Sequence, residues 1–308
     1  MKTLDVDALS VKDLHYYLHH LIAPRPIALV STVDLEGRVN LSPFSFFNLF
    51  STNPPVCVFS PSRRVRDNTT KHTVENLREV PECVIHMVSY KMVQQTSLAS
   101  SEYPKGVNEF VKAGFTALPS DVVRPPRVAE SPVQMECRVK DIISLGDGPG
   151  AGNLVLAQII KIHIKNDVLN AAGLIDQEKL DLVARLGGDW YARMSAANLF
   201  QVPKPTLSHN IGFDGLPSFV RNSCVLSGND LAQLANVSAL PIPEDVAAYL
   251  YTGTDLNVQL QHLEAYPQTR ESFVQQRAKT LIAKHKIEEA WLTLLAGALY
   301  EEEQLTKH

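Results

Sequence analysis

Over the first two-thirds of the chain, apolar residues gather in short consecutive or alternating runs; over the last third they recur at helical spacing. Residues 26–32 form an apolar run rich in β-formers. Asp34-Leu35-Glu36-Gly37 then supplies a turn, and residues 38–42 begin a return strand, which predicts a hairpin with Gly37 at a positive-φ position. Residues 55–60 and 83–88 read as short buried strands. The longest strands are predicted over 133–145 and 153–164, joined by the glycine-rich segment 146–152. Short helices fill the gaps at 73–79, 91–99, 108–113 and 177–184, and another carries His15 and His19. Strands separated by turns, without regular intervening helices, favour an antiparallel barrel over a doubly wound parallel sheet.

After Pro203-Lys204-Pro205 the pattern changes, and beyond about Ser227 it is helical. Pro243 suits the first position of a helix running to Tyr251. Ile287, Ala290, Trp291, Leu294, Leu295, Ala298 and Leu299 share one apolar helical face. The run Glu301-Glu302-Glu303 reads as a solvated end. The boundary falls near residues 205–225, giving a mainly β domain over 1–210 and a helical extension over 211–308.

With 308 residues and 45% hydrophobic content the chain can bury a full core. A formal charge of -4 supplies no global basic field, which argues against nucleic acid as a main partner. The longest apolar piece, near 154–164, is broken by Gln158, Lys161 and His163, so no membrane span is expected, and the first residues lack the apolar block of a signal peptide. Cys57, Cys83, Cys137 and Cys224 are widely spaced without a C-x-x-C pair. Buried, reduced thiols in a cytoplasmic protein are the expectation.

Segment 146–152 superficially suggests a dinucleotide fingerprint, but that motif needs a helix straight after it and here a strand follows. A flexible strand connection is the simpler reading. His15 and His19 lack the carboxylate of an H-E-x-x-H site, so no metal is expected. No G-x-S-x-G elbow or Walker A sequence is present. More informative is the segment holding Arg63, Arg64, Arg66 and Lys71 with Ser60, Ser62, Thr69, Thr70 and Thr73, placed just before a predicted helix. Fixed cations, hydroxyls and the free N–H groups of a helix start are what a phosphate monoester requires. Taken alone, the segment also fits a solvated basic loop. The preceding strip 40–48 alternates small polar and aromatic residues; it suits either a heteroaromatic ring or the polar face of an ordinary barrel strand. His163 lies late in a long strand, on the polar face with Lys161 and Lys165.

Several ordered blocks together resemble the flavin reductase-like, FMN-binding split β-barrel family, and within it the flavoredoxin type. They are Pro24-Arg25-Pro26-Ile27-Ala28-Leu29-Val30-Ser31-Thr32, the strip 40–48, Asn53-Pro54-Pro55, and Lys71-His72-Thr73-Val74-Glu75-Asn76. Tyr103-Pro104-Lys105-Gly106, Glu130-Ser131-Pro132-Val133-Gln134-Met135-Glu136-Cys137 and Arg185-Leu186-Gly187-Gly188 with Tyr191 continue the match, which spans roughly residues 15–205. The resemblance implies a homodimer of six-stranded Greek-key split barrels with FMN near the dimer interface, FAD not being excluded. Ser42, Ser45, Phe46 and Asn48 would face the ring and ribityl chain. Ser60, Arg63, Arg64, Lys71 and Thr73 would hold the phosphate, and Arg25 would lie in the cofactor's neighbourhood. The sequence departs from the family at His72, where relatives carry Asp in Lys-Asp-Thr; Thr70 or Thr73 could cap the helix instead.

The leading functional expectation is an oxidoreductase moving hydride from NADH or NADPH to bound flavin, with His163 contacting the nicotinamide donor. The alternatives are a non-enzymatic FMN electron carrier reduced by a redox partner protein, and an interaction scaffold whose helical tail is the partner face.

Overall fold

The structure, a computed structural model, describes residues 1–205, 209–253, 255–263 and 266–306. It divides into two compact units, Met1–Phe200 and Gln201–His308, so the division falls ten residues before the boundary read from the sequence.

The first unit begins with helix α1 (Val11–Leu21) and contains twelve strands. They are β1 (Arg25–Pro26), β2 (Ala28–Val33), β3 (Val39–Phe44), β4 (Phe47–Thr52), β5 (Pro55–Phe59), β6 (Glu82–Met87), β7 (Ala117–Leu118), β8 (Arg127–Val128), β9 (Val133–Ser144), β10 (Asn153–Ile164), β11 (Val183–Arg185) and β12 (Tyr191–Arg193). Helices α2 (His72–Glu79), α3 (Val93–Leu98), α4 (Glu109–Ala113) and α5 (Gln177–Leu180) lie between them. Seven strands make one antiparallel sheet in the order β3-β2-β6-β9-β10-β5-β4. Among the strands of this sheet β6, β9 and β10 follow one another and pair in that order, while β5 pairs with β10 and is joined to β6 by the long connection through α2, which is a Greek-key arrangement.

This order forces closure. β3 and β4 are the two outer strands, yet Phe44 and Phe47 are three residues apart, at most about 11 Å of chain. A flat seven-stranded sheet would hold its edges about 29 Å apart. The sheet therefore rolls up until its edges approach without pairing, and the first unit is a split β-barrel. One more strand joins the sheet than the family resemblance implies, because residues 47–52 pair with β5.

Strand alternation explains why β2 is buried along its whole length. Ala28 and Val30 point into the barrel interior with Phe59, Ile85, Cys137 and Val155, whereas Ile27 and Leu29 join Met92, Phe110 and Val128 in a second core on the outer face. The predicted turn at 34–37 forms as expected: Gly37 takes φ +80°, and the Asp34 carboxylate accepts from Arg38 N at 2.8 Å and Nε at 2.7 Å. Cys57, Cys83 and Cys137 are buried on β5, β6 and β9, and Cys224 is exposed.

One helix of this unit is shorter than the sequence pattern predicts. The helix predicted over 177–184 stops at Leu180, because Asp181 adopts φ +46° and the chain turns into β11, which pairs with β1 and β12. The strip 40–48 divides into the end of β3, the turn Ser45-Phe46 and the start of β4.

The second unit is helical: α6 (Ser218–Arg221), α7 (Gly228–Ala235), α8 (Pro243–Ala248), α9 (Leu256–His262), α10 (Pro267–Ala283) and α11 (Ile287–Thr306). The apolar face predicted on α11 is buried within this unit, where Trp291 packs with Leu234 and Leu250 and donates Nε1–H to the Leu234 carbonyl at 3.0 Å. The glutamate run is not a solvated end. α11 continues through it, and Glu301 accepts from Arg270 Nε at 2.6 Å and from its terminal nitrogen at 2.8 Å. Among the described residues, no helix is long and apolar enough to cross a membrane.

Candidate functional site

A cavity of about 810 Å³ opens where the barrel edges meet at the β3–β4 turn. Three elements build its wall. The first is the turn itself with the end of β3, which presents Ser42, Ser45 and Phe46. The second is α1. Its residues 11, 14, 15, 18 and 19 face the cavity, a spacing that places them on one helical stripe. His15 and His19 stack at 3.7 Å between ring centroids, and His19 lies 5.2 Å from the Phe46 ring. Burial, followed by the His15 ring, Arg25 and Arg185, pushes His19 down to about 4, so it is neutral at pH 7.

The third element is the loop from β5 to α2, which carries Ser60, Arg63, Arg64 and Lys71. Asn68, at φ +56°, shapes this loop and accepts Arg63 Nε at 2.7 Å on its side-chain oxygen. The loop is tied to segment 146–152: Arg63 N donates to Ala151 O at 2.8 Å, Gly150 N to Arg63 O at 3.2 Å, and Asn68 Nδ2 to Asp147 O at 2.9 Å. A segment expected to be a flexible connection is thus an anchored part of the cavity wall. Arg64 donates to Thr69 Oγ1 at 2.8 Å and to Thr70 O at 2.5 Å. Glu102, from the segment after α3, stands against the cations at 3.3 Å from Arg64, 3.1 Å from Arg66 and 3.9 Å from Lys71. Burial and then the Arg64 charge push the Lys71 ammonium down, opposed by Glu102.

Of the residues singled out in the sequence, Ser42, Ser45, Phe46, Ser60, Arg63, Arg64 and Lys71 are brought together on this wall. Arg25 sits behind it, buried. It donates to His19 O at 2.8 Å, Ile22 O at 2.5 Å and Leu186 O at 3.1 Å, which pins the C-terminal end of α1, and its Nε lies 3.4 Å from Ser45 Oγ. Gly187 lets the Arg-Leu-Gly-Gly segment approach the same helix, since a Cβ there would lie 2.3 Å from the His20 ring. Asn48 falls on β4, exposed, with its side-chain oxygen accepting from Leu49 N at 2.8 Å. Thr73 is fully buried and accepts from Asn40 Nδ2 at 3.0 Å. α2 starts at His72 with Lys71 as its N-cap, and neither Thr70 nor Thr73 caps it: Thr70 Oγ1 bonds Glu75 at 3.0 Å instead.

His163 lies ten residues along β10 from Asn153, about 33 Å of strand, with Nε2 2.7 Å from the buried carboxylate of Glu136. Within one chain it is not part of the cavity wall. Asp121 completes a group with these two side chains, but Lys161 Nζ lies 2.5 Å from Asp121, and the amides of Asp121 and Val122 already donate to Glu136. Glu102 and the α1 residues Val11, Leu14 and Leu18 are wall components that the sequence reading did not single out, and it weighed His15, His19 and segment 146–152 for other roles.

Other cavities have different chemistry. One of about 600 Å³ in the helical unit is lined by Leu240, Tyr249 and Trp291 with Asp245 and Glu288, and no cation lines it. One of about 380 Å³ holds Arg185 and Arg193, but Arg193 is spent on Asp181 at 2.7 Å and 2.9 Å.

Known proteins share this architecture. The family model described as flavin reductase like domain matches residues 20–181. An uncharacterised protein of Halalkalibacterium halodurans is 35% identical over 209 residues, covering 67% of this chain and 98% of its own. The crystal structure of nitrilotriacetate monooxygenase component B from Bacillus cereus is 30% identical, with a TM-score of 0.61 over 66% of this chain and 98% of that one. A protein of Shewanella frigidimarina NCIMB 400, assigned as a flavin reductase with a split barrel domain, shares the fold at 24% identity and a TM-score of 0.55, over 64% of this chain and 95% of that one. By the match over residues 20–181 and the likeness to these relatives, this chain belongs to the flavin reductase like family.

Proposed function

We propose that this chain binds FMN in the 810 Å³ cavity and acts as an NAD(P)H-dependent flavin oxidoreductase. The observation that carries this reading is the convergence of Arg63, Arg64 and Lys71 with serine hydroxyls and Phe46 on one wall. The donor set fits the group: cations suit a phosphate monoester, hydroxyls suit a ribityl chain, and Phe46 with the aliphatic side chains of α1 suits a flat ring. The cavity volume lies within the ~300–1,000 Å³ typical of cofactor sites. When bound, FMN supplies the two-electron chemistry, exchanging hydride with a nicotinamide. The chain's own residues bind and orient. Arg63, Arg64 and Lys71 would hold the phosphate. Ser42, Ser45 and Ser60 would offer hydroxyl partners, and Arg25 fixes α1 as the opposing wall. Neutral His19 narrows the cavity without adding a charge. No residue of the wall is required as a general acid or base, and the reading gives His163 no step within its own chain.

A homodimer belongs to the same proposal. β4 is an edge strand whose Leu49 and Phe50 are 53% and 69% exposed beside Phe46, an apolar margin at the cavity that a second copy would cover. The likeness to a protein described as a component of a monooxygenase supports a second reading, in which the bound flavin passes electrons to a redox partner protein.

An absorbance spectrum of purified protein with added FMN, repeated anaerobically after NADH and then NADPH, tests both. Flavin absorbance that bleaches on nicotinamide addition is expected. Retained flavin without bleaching would replace the reductase with the carrier, and a protein that binds no flavin would overturn both.

A further inference from the structure

Among the described residues that line the cavity, Glu102 is the one acidic side chain, and it opposes the ligand proposed for the site. Its carboxylate reaches Arg64 at 3.3 Å, Arg66 at 3.1 Å and Lys71 at 3.9 Å, and Arg64 and Lys71 are among the three cations expected to hold the phosphate. It comes from the turn after α3, far in sequence from the basic loop, and lines the cavity beside Ser100. The cations it meets crowd one another: the Arg64 charge itself pushes the Lys71 ammonium down.

We infer that Glu102 is a specificity-determining placeholder: it balances the phosphate-binding cations when no ligand is bound and competes with the phosphate for them when flavin enters. The inference rests on the FMN reading. A phosphate monoester carries about −1.5 to −2 charges at pH 7. To reach Arg64 and Lys71 it must displace a carboxylate held within ion-pair distance of both or lie beside it against like-charge repulsion. Part of the attraction of the cations is spent on Glu102 before the ligand arrives. Glu102 therefore weakens binding of a phosphorylated flavin selectively, leaving the ring and ribityl contacts untouched. The wall is built for a flavin that exchanges rather than one permanently held.

Riboflavin, which shares the ring and ribityl chain but has no phosphate, supplies the control. Dissociation constants for FMN and riboflavin are measured by flavin fluorescence quenching on full-length wild type, Glu102→Gln and Glu102→Asp, at low salt and at about 1 M salt. Thermal unfolding of each variant verifies its fold. Glu102→Gln is expected to bind FMN about tenfold tighter, with riboflavin unchanged and the gain reduced by salt. Glu102→Asp, which keeps the charge on a shorter arm, is expected to fall between. Unchanged or weaker FMN binding by a folded Glu102→Gln, or an equal gain for riboflavin, would overturn the inference while leaving the FMN reading intact. Wild type and variants that bind neither flavin would overturn the FMN reading, and this inference with it.

Discussion

Each unit buries an arginine, and the two are treated differently. In the helical unit Arg270 is 4% exposed and meets both oxygens of Glu301. In the barrel unit Arg25 is 6% exposed and donates to the carbonyls of His19, Ile22 and Leu186. Around the nearby cavity, Glu102 meets Arg64, Arg66 and Lys71, and Arg66 also meets Asp67 at 3.3 Å, so Arg64 and Lys71 share Glu102 while Arg63 is held by the neutral Asn68. The helical unit balances its buried charge within its own structure, as a core built for stability does. The barrel unit leaves cations in excess of anions beside an 810 Å³ cavity. Uncompensated charge next to a cavity, rather than buried charge as such, marks the ligand site.

The largest test of this division is the core of the helical unit. Trp291→Ala removes a side chain that is 1% exposed and hydrogen-bonded, and should cost about 3–5 kcal/mol, read as a shift in the urea midpoint. A loss below about 1 kcal/mol would mean that this core does not hold the unit together.

Acid should separate the units next. His86 is fully buried, with Nδ1 2.7 Å from Leu29 O and Nε2 accepting from Val128 N at 2.9 Å, an arrangement that only the neutral ring satisfies. Burial pushes its pKa down from 6.5 to about 4, and His19 shifts the same way. Above the unfolded value both states are neutral and stability is complete. As pH falls from 6.5 towards 4, the unfolded chain takes up a proton that the native barrel refuses, so stability is lost, up to about 3 kcal/mol for His86. His209, His262 and His285 of the helical unit are exposed. Hydrogen exchange at pH 7 and pH 5 should show β2 and β6 losing protection while α10 and α11 keep it. Equal loss in both units would break the comparison.

Legibility followed the range of the interactions. β10 was read to its observed bounds, Asn153–Ile164, because alternation over twelve residues is a local signal. The reading of 177–184 as one helix failed because its end is set by Asp181 in a left-handed conformation and by β11 pairing with β1, a partner about 160 residues away. Arg63, Arg64 and Lys71 were legible because they lie within nine residues of one another before a helix. Glu102 was not, since nothing near it in sequence says that a loop thirty residues earlier brings cations to it. Thr73 matches the family motif, yet it lies on the buried face of α2 with Val74, Asn76 and Leu77. The α1 stripe was present as a spacing, but its meaning depends on a cavity made by strands that follow it.

A smaller effect probes the balanced arginine. Glu301→Gln removes the charge of one Arg270 partner and should cost about 1–2 kcal/mol, below the 3–5 kcal/mol of a fully buried pair because the Glu301 side chain is 38% exposed. A thermal melt of this variant that matches wild type would remove the contrast from which the comparison starts.

The smallest effect is the most specific. Lys71→Met keeps the aliphatic stem and removes the charge, and should weaken FMN binding about tenfold, close to 1.4 kcal/mol, with riboflavin unaffected. Measured alone, this loss could come from any disturbance of the loop. Combined with Glu102→Gln it becomes a cycle. The two groups face each other at 3.9 Å, and each acts on the same phosphate with opposite sign. Their effects should therefore oppose, returning the double variant towards wild-type FMN affinity, with a coupling term because each group's influence depends on the other's charge. Strict additivity would mean that the lysine and the carboxylate act on the ligand independently, and that the shared anion is incidental to the excess of cations around this cavity.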